Sequence, residues 1–543
     1  MKKFLFLLLI SQLFFSQQYS IPFAERAALV NLYATTSGEQ WSQTWDLDKD
    51  PKYWYGIKIK NGNVTEINLR GNALKGNFPA FVAPFPKLQK LDLSSNQLAG
   101  EIPPSLSSFT SLERLDISNN RLTGDPSTTI LPLFNLKEIS VGNNQFTFSD
   151  INSFLQNFSA LQVLDLSHIG LSEIPQKITT LAVLKSLNLS NNTISQNFGN
   201  LSTLINLQDL NLSGNQLTKI PTELSSLTAL TALNVSHNLF STNYSSTLAN
   251  LKNLEWLSLA SNQIASFPTE LSQLNKLVHL NFSDNQISGG FESLLVLKNL
   301  EQIYLDKNLI VGNFPSQLLQ LNQLQMISLI GNQLSGEIPE TIPALTFLDN
   351  NRFSRQDIKN FILKNKAMAD FTYSPQRYDE IKTINASIGS TVSLPQSLSG
   401  DEYQFTWFKN LSEKTTATTE NYNINSVQDD DYATYTCEAY TFEQLPKELM
   451  EISFYREPVT LVKELATDEV QSGLVVYPNP ATDFIHIKTT KRDIEKVFVF
   501  DLAGKLIMTE YKKDINISHL PSANYIISIK TSDGIQSFKF IKK

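Results

Sequence analysis

A nine-residue pattern recurs along this chain at nearly constant spacing, and no other sequence feature constrains the fold as much. The pattern opens as VTEINLRGN at Val64 and returns in forms such as LQKLDLSSN at Leu88 and LQDLNLSGN at Leu207. Successive copies start 23, 24 or 25 residues apart. The twelve starts are Val64, Leu88, Leu112, Leu136, Leu161, Leu184, Leu207, Leu230, Leu254, Leu277, Leu300 and Leu324. A period of this length predicts stacked structural units rather than one compact core.

Apolar residues of the shared pattern LxxLxLxxN alternate as they would in a short strand with one face turned inward. One copy alone cannot bury that face, whereas stacked neighbours bury a continuous core. The ninth position is Asn in eleven of the twelve copies, and the exception, Ile169, should mark a local irregularity. A thirteenth copy, LTFLDNNRF from Leu345, comes two residues early and is expected to end the array.

This pattern resembles that of the leucine-rich-repeat family over residues 60–352. The resemblance implies an α/β repeat solenoid in which short parallel strands form a curved sheet with a concave face. It also implies that the ninth-position Asn side chains hydrogen-bond the backbone of adjacent coils. Some 24-residue repeats carry GNFP or GEIP, as in plant-type members of the family, at residues 76–79, 100–103 and 336–339.

Both ends of such an array expose core and need caps. Residues 19–63 are predicted to form the N-terminal cap, with an amphipathic helix in FAERAALVNLYATTSG that ends at Gly38 and is followed by several tryptophans. Residues 64–352 then hold the repeats. Residues 353–375 are predicted to form the C-terminal cap, with a helix from Arg355 to Lys366.

The first 18 residues predict a secretory signal peptide. Lys2 and Lys3 form a positive region, and a short apolar run begins at Phe4. That run is too short to span a bilayer, and no other apolar run approaches the necessary length, so no transmembrane segment is predicted.

From about Gln376 the sequence changes to strand-like alternation, and residues 376–463 resemble an immunoglobulin-like domain. The segments 389–394, 405–408 and 431–437 are the expected strands. Trp407 matches the family's core tryptophan, Tyr435 its tyrosine-corner residue and Cys437 its second core cysteine. The first cysteine is missing, with Gln396 near its place, so no disulfide is expected.

Residues 475–543 resemble the type A C-terminal sorting domain of type IX secretion. The matching segments are VYPNPATDFIHI, FDLAGKLI, LPSANYIISI and the SFKFIKK ending, and residues 464–474 are interpreted as a linker. The resemblance implies the type IX secretion machinery as a partner, and export through the periplasm to the outer cell surface or medium. The fold class is therefore a leucine-rich-repeat solenoid followed by two small all-β sandwich-like domains.

Composition and motifs argue against several functions. The formal net charge is −8 with no basic stripe, which makes nucleic acid an unexpected partner. The chain has a single cysteine and five histidines, none in metal-ligand spacing, and no nucleophile or phosphate-binding motif. We therefore predict no enzyme activity, no metal and no cofactor.

The third, fifth and seventh residues of each repeat form three outward columns on the concave face. Position five is mostly Asp, Asn or Ser and position seven mostly Ser, but repeats 9 to 12 depart from this rule. The predicted ligand-binding residues there are Trp256, His279, Tyr304, Asp306, Met326 and Ile330. Clustered aromatic residues on a polar face favour a contact surface. Packing against the next domain, or sequence drift, would also account for them.

Two hypotheses of function follow. The first is a secreted or cell-surface binding or adhesion protein whose concave face recognises a protein, peptide or glycan. The alternative is a structural or spacer component of the cell surface, for which a uniformly polar concave face would be typical. Fold by itself does not decide between them.

Overall fold

The computed structural model describes residues 19–80, 85–241, 246–364, 370–410, 412, 415–444, 449–463, 474–489, 494–501, 505–531 and 534–543. The predicted signal peptide and nearly all of the predicted linker lie outside these residues. The chain divides into two compact units. The first comprises the residues up to Asp379 with Ser397–Phe405 and Glu438–Arg456, and the second comprises Glu380–Gln396, Thr406–Cys437 and Glu457–Lys543.

The N-terminal cap of the first unit begins with the helix Phe23–Thr35, which ends three residues before the predicted Gly38. Short 3-10 turns follow at Gly38–Gln40 and Pro51–Tyr53. Trp45 packs edge-on against Trp41, with ring centroids 4.9 Å apart, and stacks on Trp54 at 4.7 Å. This buried aromatic cluster covers the apolar end of the repeat array, as a cap must.

A 15-stranded sheet runs through the first unit. Its first two strands are antiparallel, and all later neighbours are parallel. In order, the strands are Ile57–Lys60, Asn63–Asn68, Lys90–Asp92, Arg114–Asp116, Glu138–Ser140, Val163–Asp165, Ser186–Asn188, Asp209–Asn211, Ala232–Asn234, Trp256–Ser258, His279–Asn281, Gln302–Tyr304, Met326–Ser328, Leu345–Phe347 and Asp370–Thr372. This sheet provides the concave face.

Short helical turns form the other side of the repeats. Two are α-helical, Ser127–Ile130 and Ile151–Leu155. The 3-10 turns are Pro104–Ser108, Gln176–Thr180, Phe198–Thr203, Thr222–Ser226, Ser246–Asn250, Thr269–Gln273, Phe291–Leu294 and Ser316–Gln320. Plant-type coils add short strands after the ninth position, in one sheet of Lys75–Asn77, Gln97–Glu101, Arg121–Gly124 and Gln145–Phe146, and another of Val311–Gly312 and Gln333–Leu334.

The ninth-position side chains form a ladder of hydrogen bonds through the core. The Asn215 amide nitrogen donates to Leu189 O of the preceding coil at 3.0 Å and to Leu212 O of its own coil at 3.1 Å. Its amide oxygen accepts from Ile194 N at 3.1 Å. Buried turn carbonyls are thereby satisfied. Ile169 has no amide to offer, so the predicted irregularity there is an interruption of the ladder.

The register of the thirteenth repeat differs from the prediction. Leu345 pairs with Met326, a third-position residue, so the repeat begins at Pro343 and not at Leu345. Asn351 is then its ladder residue, donating to Leu329 O at 2.8 Å. The reason is that Pro343 occupies the first apolar position and Thr346 the fourth, where its buried hydroxyl donates to Pro343 O.

A fourteenth coil follows the capping helix Arg355–Lys364; the predicted end, Lys366, lies outside the described residues. Its strand Asp370–Thr372 pairs with Leu345–Phe347. Gln376, expected to open the next domain, takes the ladder position: its nitrogen donates to Leu348 O at 2.9 Å and its oxygen accepts from Phe353 N at 3.1 Å. Glutamine replaces asparagine because it carries the same amide.

The first unit also contains part of the β-structure that follows the repeats. Gln376–Tyr378 pairs in parallel with Leu449–Arg456, which pairs antiparallel with residues 438–444. Glu443, which is buried, receives Lys359 Nζ of the capping helix at 2.7 Å and a close hydrogen bond from Arg355. These two cations hold the pKa of Glu443 below its usual range.

The second unit contains the core features predicted for the immunoglobulin-like domain. Its strands include Lys382–Ala386, Val392–Leu394, Thr415–Ala417, Tyr422–Ile424 and Val459–Lys463, and parts of Gln404–Lys409 and Thr434–Gln444. Trp407 and Cys437 are fully buried, and the Tyr435 hydroxyl donates to Asp431 O at 2.9 Å, as a tyrosine corner requires. The immunoglobulin-like assignment of residues 376–463 stays a prediction.

Residues 474–543 form two small antiparallel sheets, also in the second unit. One contains Leu474–Tyr477, Phe484–Thr489 and Asp514–Asn516, and the other contains Leu506–Glu510, Ile494–Asp501, Ala523–Thr531 and Gly534–Lys542. Leu474, expected in the linker, is fully buried in their shared core with Ile485, Val497, Ile527 and Phe540. Alternating apolar residues on each strand supply this core.

Candidate functional site

The six predicted ligand-binding residues lie on four successive coils of the long sheet. Trp256 is the strand neighbour of His279, and His279 is the neighbour of Gln302, which in turn pairs with Met326. Tyr304 pairs with Asn281 on one side and Ser328 on the other. Neighbouring strands lie about 4.8 Å apart, so these side chains form one contiguous surface.

Burial separates this surface from the core beneath it. The six predicted residues are all half-buried, whereas Leu257, Leu280, Ile303 and Ile327, which alternate with them along the strands, are fully buried. The Tyr304 hydroxyl donates to Gln302 Oε1 at 3.1 Å, which orients the phenol along the sheet. The sheet geometry therefore presents apolar side chains to solvent at regular spacing.

Asp306 has a second role within this surface. Its carboxylate accepts a close hydrogen bond from the Ser328 hydroxyl and one from Ile330 N at 2.9 Å, and Ser283 Oγ donates to it at 3.4 Å. Burial raises the pKa of the Asp306 carboxyl above its usual range. The residue thus ties repeats 10, 11 and 12 together and leaves its charge at the centre of the surface.

The corrected register adds two residues that the sequence interpretation missed. Leu345 stands beside Met326 in the third-position column, and Phe347 stands beside Ser328 in the fifth. Both are half-buried. We call the set Trp256, Tyr304, Met326, Ile330, Leu345 and Phe347 the apolar patch. The sequence signal for these two residues was Asn351, because aligning it with the other ladder asparagines places Leu345 and Phe347 on the concave face.

Repeats 1 to 4 offer a different concave surface, which is charged and internally paired. Arg114 reaches Glu138 at 3.0 Å, and both Asp92 and Asp116 at 3.7 Å. Burial, with a smaller contribution from the neighbouring Asp92, raises the pKa of Asp116, and Arg114 opposes that rise. Lys58–Glu66 and Lys137–Glu113 add further ion pairs at 2.9 Å.

Among the residues that the structure describes, no three His, Cys, Asp or Glu side chains are grouped as metal ligands would be. No helix there is long and apolar enough to cross a membrane.

Two family models match the chain. One, described as a leucine-rich repeat region, matches residues 91–249, and the other, described as a secretion system C-terminal sorting domain, matches residues 475–543. No curated protein sequence matches.

Solved structures of leucine-rich-repeat proteins resemble the chain. The ectodomain of the Arabidopsis receptor kinase HAESA, in complex with an N-terminally extended IDA peptide hormone, is 26% identical with a TM-score of 0.50, and the match covers 66% of this chain and 62% of that one. A leucine-rich-repeat protein of Leptospira interrogans is 28% identical (TM-score 0.45; 56% and 83% covered). An internalin of Listeria monocytogenes is 26% identical (TM-score 0.39; 51% and 87% covered).

The chain is a leucine-rich-repeat protein. More particularly, it is one that carries a type IX secretion sorting domain at residues 475–543, which directs it to the cell surface or the extracellular space. Both families consist of binding and sorting domains, which agrees with a general binding role. The six predicted site residues stay a prediction.

Proposed function

We propose that this protein binds a protein or peptide ligand on the concave face of repeats 9 to 13, with the apolar patch as the central contact. The observation that carries this proposal is the group of half-buried apolar side chains on repeats 11 to 13, together with Trp256, which His279 and Gln302 separate from Met326 along the third-position column. Burying solvent-exposed apolar surface lowers the free energy of the complex, and aromatic residues in such patches dominate many interfaces.

The structural relative supports a peptide ligand in general. The HAESA ectodomain, whose match covers 66% of this chain, was solved with a peptide hormone bound. The chain spans 62% of that ectodomain, so we take from it only the general idea of a peptide ligand and derive the surface from this chain's own residues.

The test compares the mature protein with the double variant Trp256→Ala, Tyr304→Ala in peptide-display and glycan-array screens. Each truncation should weaken binding of the captured ligand by about 2 kcal/mol, or about thirtyfold. The matched control is Tyr53→Ala, Phe134→Ala, which removes two exposed aromatic rings outside the concave columns. Both variants should keep the wild-type thermal melt.

A glycan is the second candidate, because Trp256 and Tyr304 also suit stacking on sugar rings. Retention of a glycan that depends on both rings would favour it over a protein ligand. Equal binding by the wild type and the double variant would show that the ligand binds elsewhere, and a lowered melt of that variant would favour a packing role for the two rings. Absence of any captured ligand would favour the spacer hypothesis.

A further inference from the structure

The apolar patch is surrounded by negative charge. Between the second and eighth positions of repeats 9 to 13, the chain places five acidic residues and one basic residue, Lys307. The acidic residues are Glu255, Asp284, Glu301, Asp306 and Asp349. Glu255 and Asp284 are exposed, and the other three acids are half-buried. The lysines of these repeats, Lys252, Lys276 and Lys298, lie before the first strand position of their repeats.

These acids differ from the acids of repeats 1 to 4 in forming no ion pair, although Lys307 lies close enough to lower the pKa of Asp306 slightly against the effect of burial. In the described part of the chain, none of the five forms an ion pair with a Lys, Arg or His side chain. Asp349 accepts a hydrogen bond from the Thr372 hydroxyl, and Asp306 is held by Ser328 and Ile330 N. By contrast, Glu66, Glu113 and Glu138 each meet a Lys or Arg. The negative charge of the carboxylates in repeats 9 to 13 is therefore not offset by ion pairs as it is in repeats 1 to 4.

We infer that the ligand of this face is a cationic amphipathic peptide segment, whose apolar side chains cover the apolar patch while its Lys or Arg side chains meet the surrounding carboxylates. This inference rests on the proposed function, because it uses the same surface. It goes further by naming the charge and polarity of the ligand.

Charge complementarity decides between ligand classes. Unpaired carboxylates next to apolar surface attract a cation strongly, because covering the patch excludes water and lowers the local dielectric. An acidic or neutral ligand would bury these carboxylates without a counter-charge, which is costly. A peptide can carry apolar and cationic side chains within one short segment, whereas a neutral glycan offers no counter-charge.

The experiment pans a random peptide library on the mature full-length protein, and the enriched sequences are counted. The consensus peptide is then synthesised and its affinity measured at low and high salt. The rim variant is Glu255→Gln, Asp284→Asn, Glu301→Gln. Its matched control is Glu223→Gln, Glu270→Gln, Glu292→Gln, which makes the same change in net charge on the helical turns of the opposite side.

We expect enriched peptides with net positive charge and several aromatic or aliphatic residues. The rim variant should weaken the consensus peptide by about tenfold at low salt and less at high salt, since exposed charge contributions are individually small and screened. The matched control should change affinity by less than about twofold. Lys307→Gln should strengthen binding, because it removes the single opposing charge on this face.

Failure of the inference and failure of the proposed function are distinguishable. Enrichment of neutral or acidic peptides, or equal effects of the rim variant and its control, overturns the cationic assignment. If Trp256→Ala, Tyr304→Ala still abolishes capture in that case, the proposed function stands. Peptide capture that survives this double variant overturns the proposed function itself. No peptide enrichment at all overturns the peptide assignment, and a ring-dependent glycan signal would then preserve the binding role.

Discussion

The two ends of the concave face share one backbone pattern and differ in how their side chains are satisfied. In repeats 1 to 4, carboxylates and cations on adjacent strands form ion pairs, as Arg114 does with Asp92, Asp116 and Glu138. In repeats 9 to 13, apolar side chains and carboxylates without ion pairs occupy the equivalent positions. The carboxylates of the first surface therefore have cations from the same molecule nearby, whereas those of the second do not form such pairs among the described residues.

In a repeat scaffold of this kind, folding stability and ligand recognition depend on different residues. Buried leucines and the asparagine ladder hold every coil in the same way, so columns 3, 5 and 7 are free to vary. Paired charges at the N-terminal repeats contribute a little stability and lower the tendency to bind.

The largest expected effect separates delivery from recognition. Deletion of residues 475–543 should abolish surface delivery and leave the protein in the periplasm, because the sorting domain is removed. Both concave stretches belong to the first unit, so the thermal melt of the repeats and peptide binding should be unchanged. Cell fractionation with surface labelling provides the measurement, and normal delivery of the truncated chain would contradict the prediction.

The second prediction concerns the coil that ends the array beside the apolar patch. Gln376→Ala should lower the free energy of unfolding by about 2 kcal/mol, because Leu348 O and Phe353 N lose their buried partners. Chemical denaturation measures this loss. Gln325→Ala, which truncates an exposed glutamine in the twelfth repeat, is the control and should be nearly neutral. Equal effects would show that the fourteenth coil does not support its neighbours.

The third prediction tests the paired stretch directly. Arg114→Gln should cost about 1 kcal/mol at neutral pH, a modest value because the arginine is 38% exposed and its ion pairs are screened. Without Arg114 the pKa of Asp116, already raised by burial, rises further. A raised folded-state pKa means that the protonated carboxyl is favoured by folding. The penalty should therefore be present at pH 7 and fade as the pH falls through that raised pKa towards 3.8.

Stability measured at pH 7 and near pH 4 gives the comparison, with wild type as reference. Peptide binding by Arg114→Gln should be unchanged. A loss of stability that increased as the pH fell, or a loss of peptide affinity, would contradict the difference proposed between the ion-paired surface of repeats 1 to 4 and the binding surface of repeats 9 to 13.

The smallest effect is expected outside the concave face. Cys437→Ala should cost about 1 kcal/mol through a small packing defect in the second unit, because Cys437 is fully buried and is the only cysteine of the chain. The melt should not respond to reductant. A native dimer linked through Cys437 would contradict this account.

Most of the repeat register was predictable from sequence because each ladder asparagine marks its own coil. The predicted register was wrong in the thirteenth repeat, because Pro343 and Thr346 occupy two positions where leucine was expected. Leu345 and Phe347 were therefore not recognised as residues of the concave face. Gln376 was placed in the following domain because glutamine is not the usual ladder residue. Only the side-chain hydrogen bonds of the folded structure showed that its amide makes the same bonds.

The solenoid, the secretion domain and the columns on which Trp256 and Tyr304 lie could be predicted from the sequence, because they depend on local periodicity and on motifs contiguous in the chain. The pairing of charges could be seen only in the folded structure. Whether Arg114 reaches Glu138, and whether Glu301 meets any cation, depends on side chains brought together from coils about 24 residues apart. The sequence period predicts which residues share a column. The packing of the folded chain determines which charged side chains lie close enough to form an ion pair.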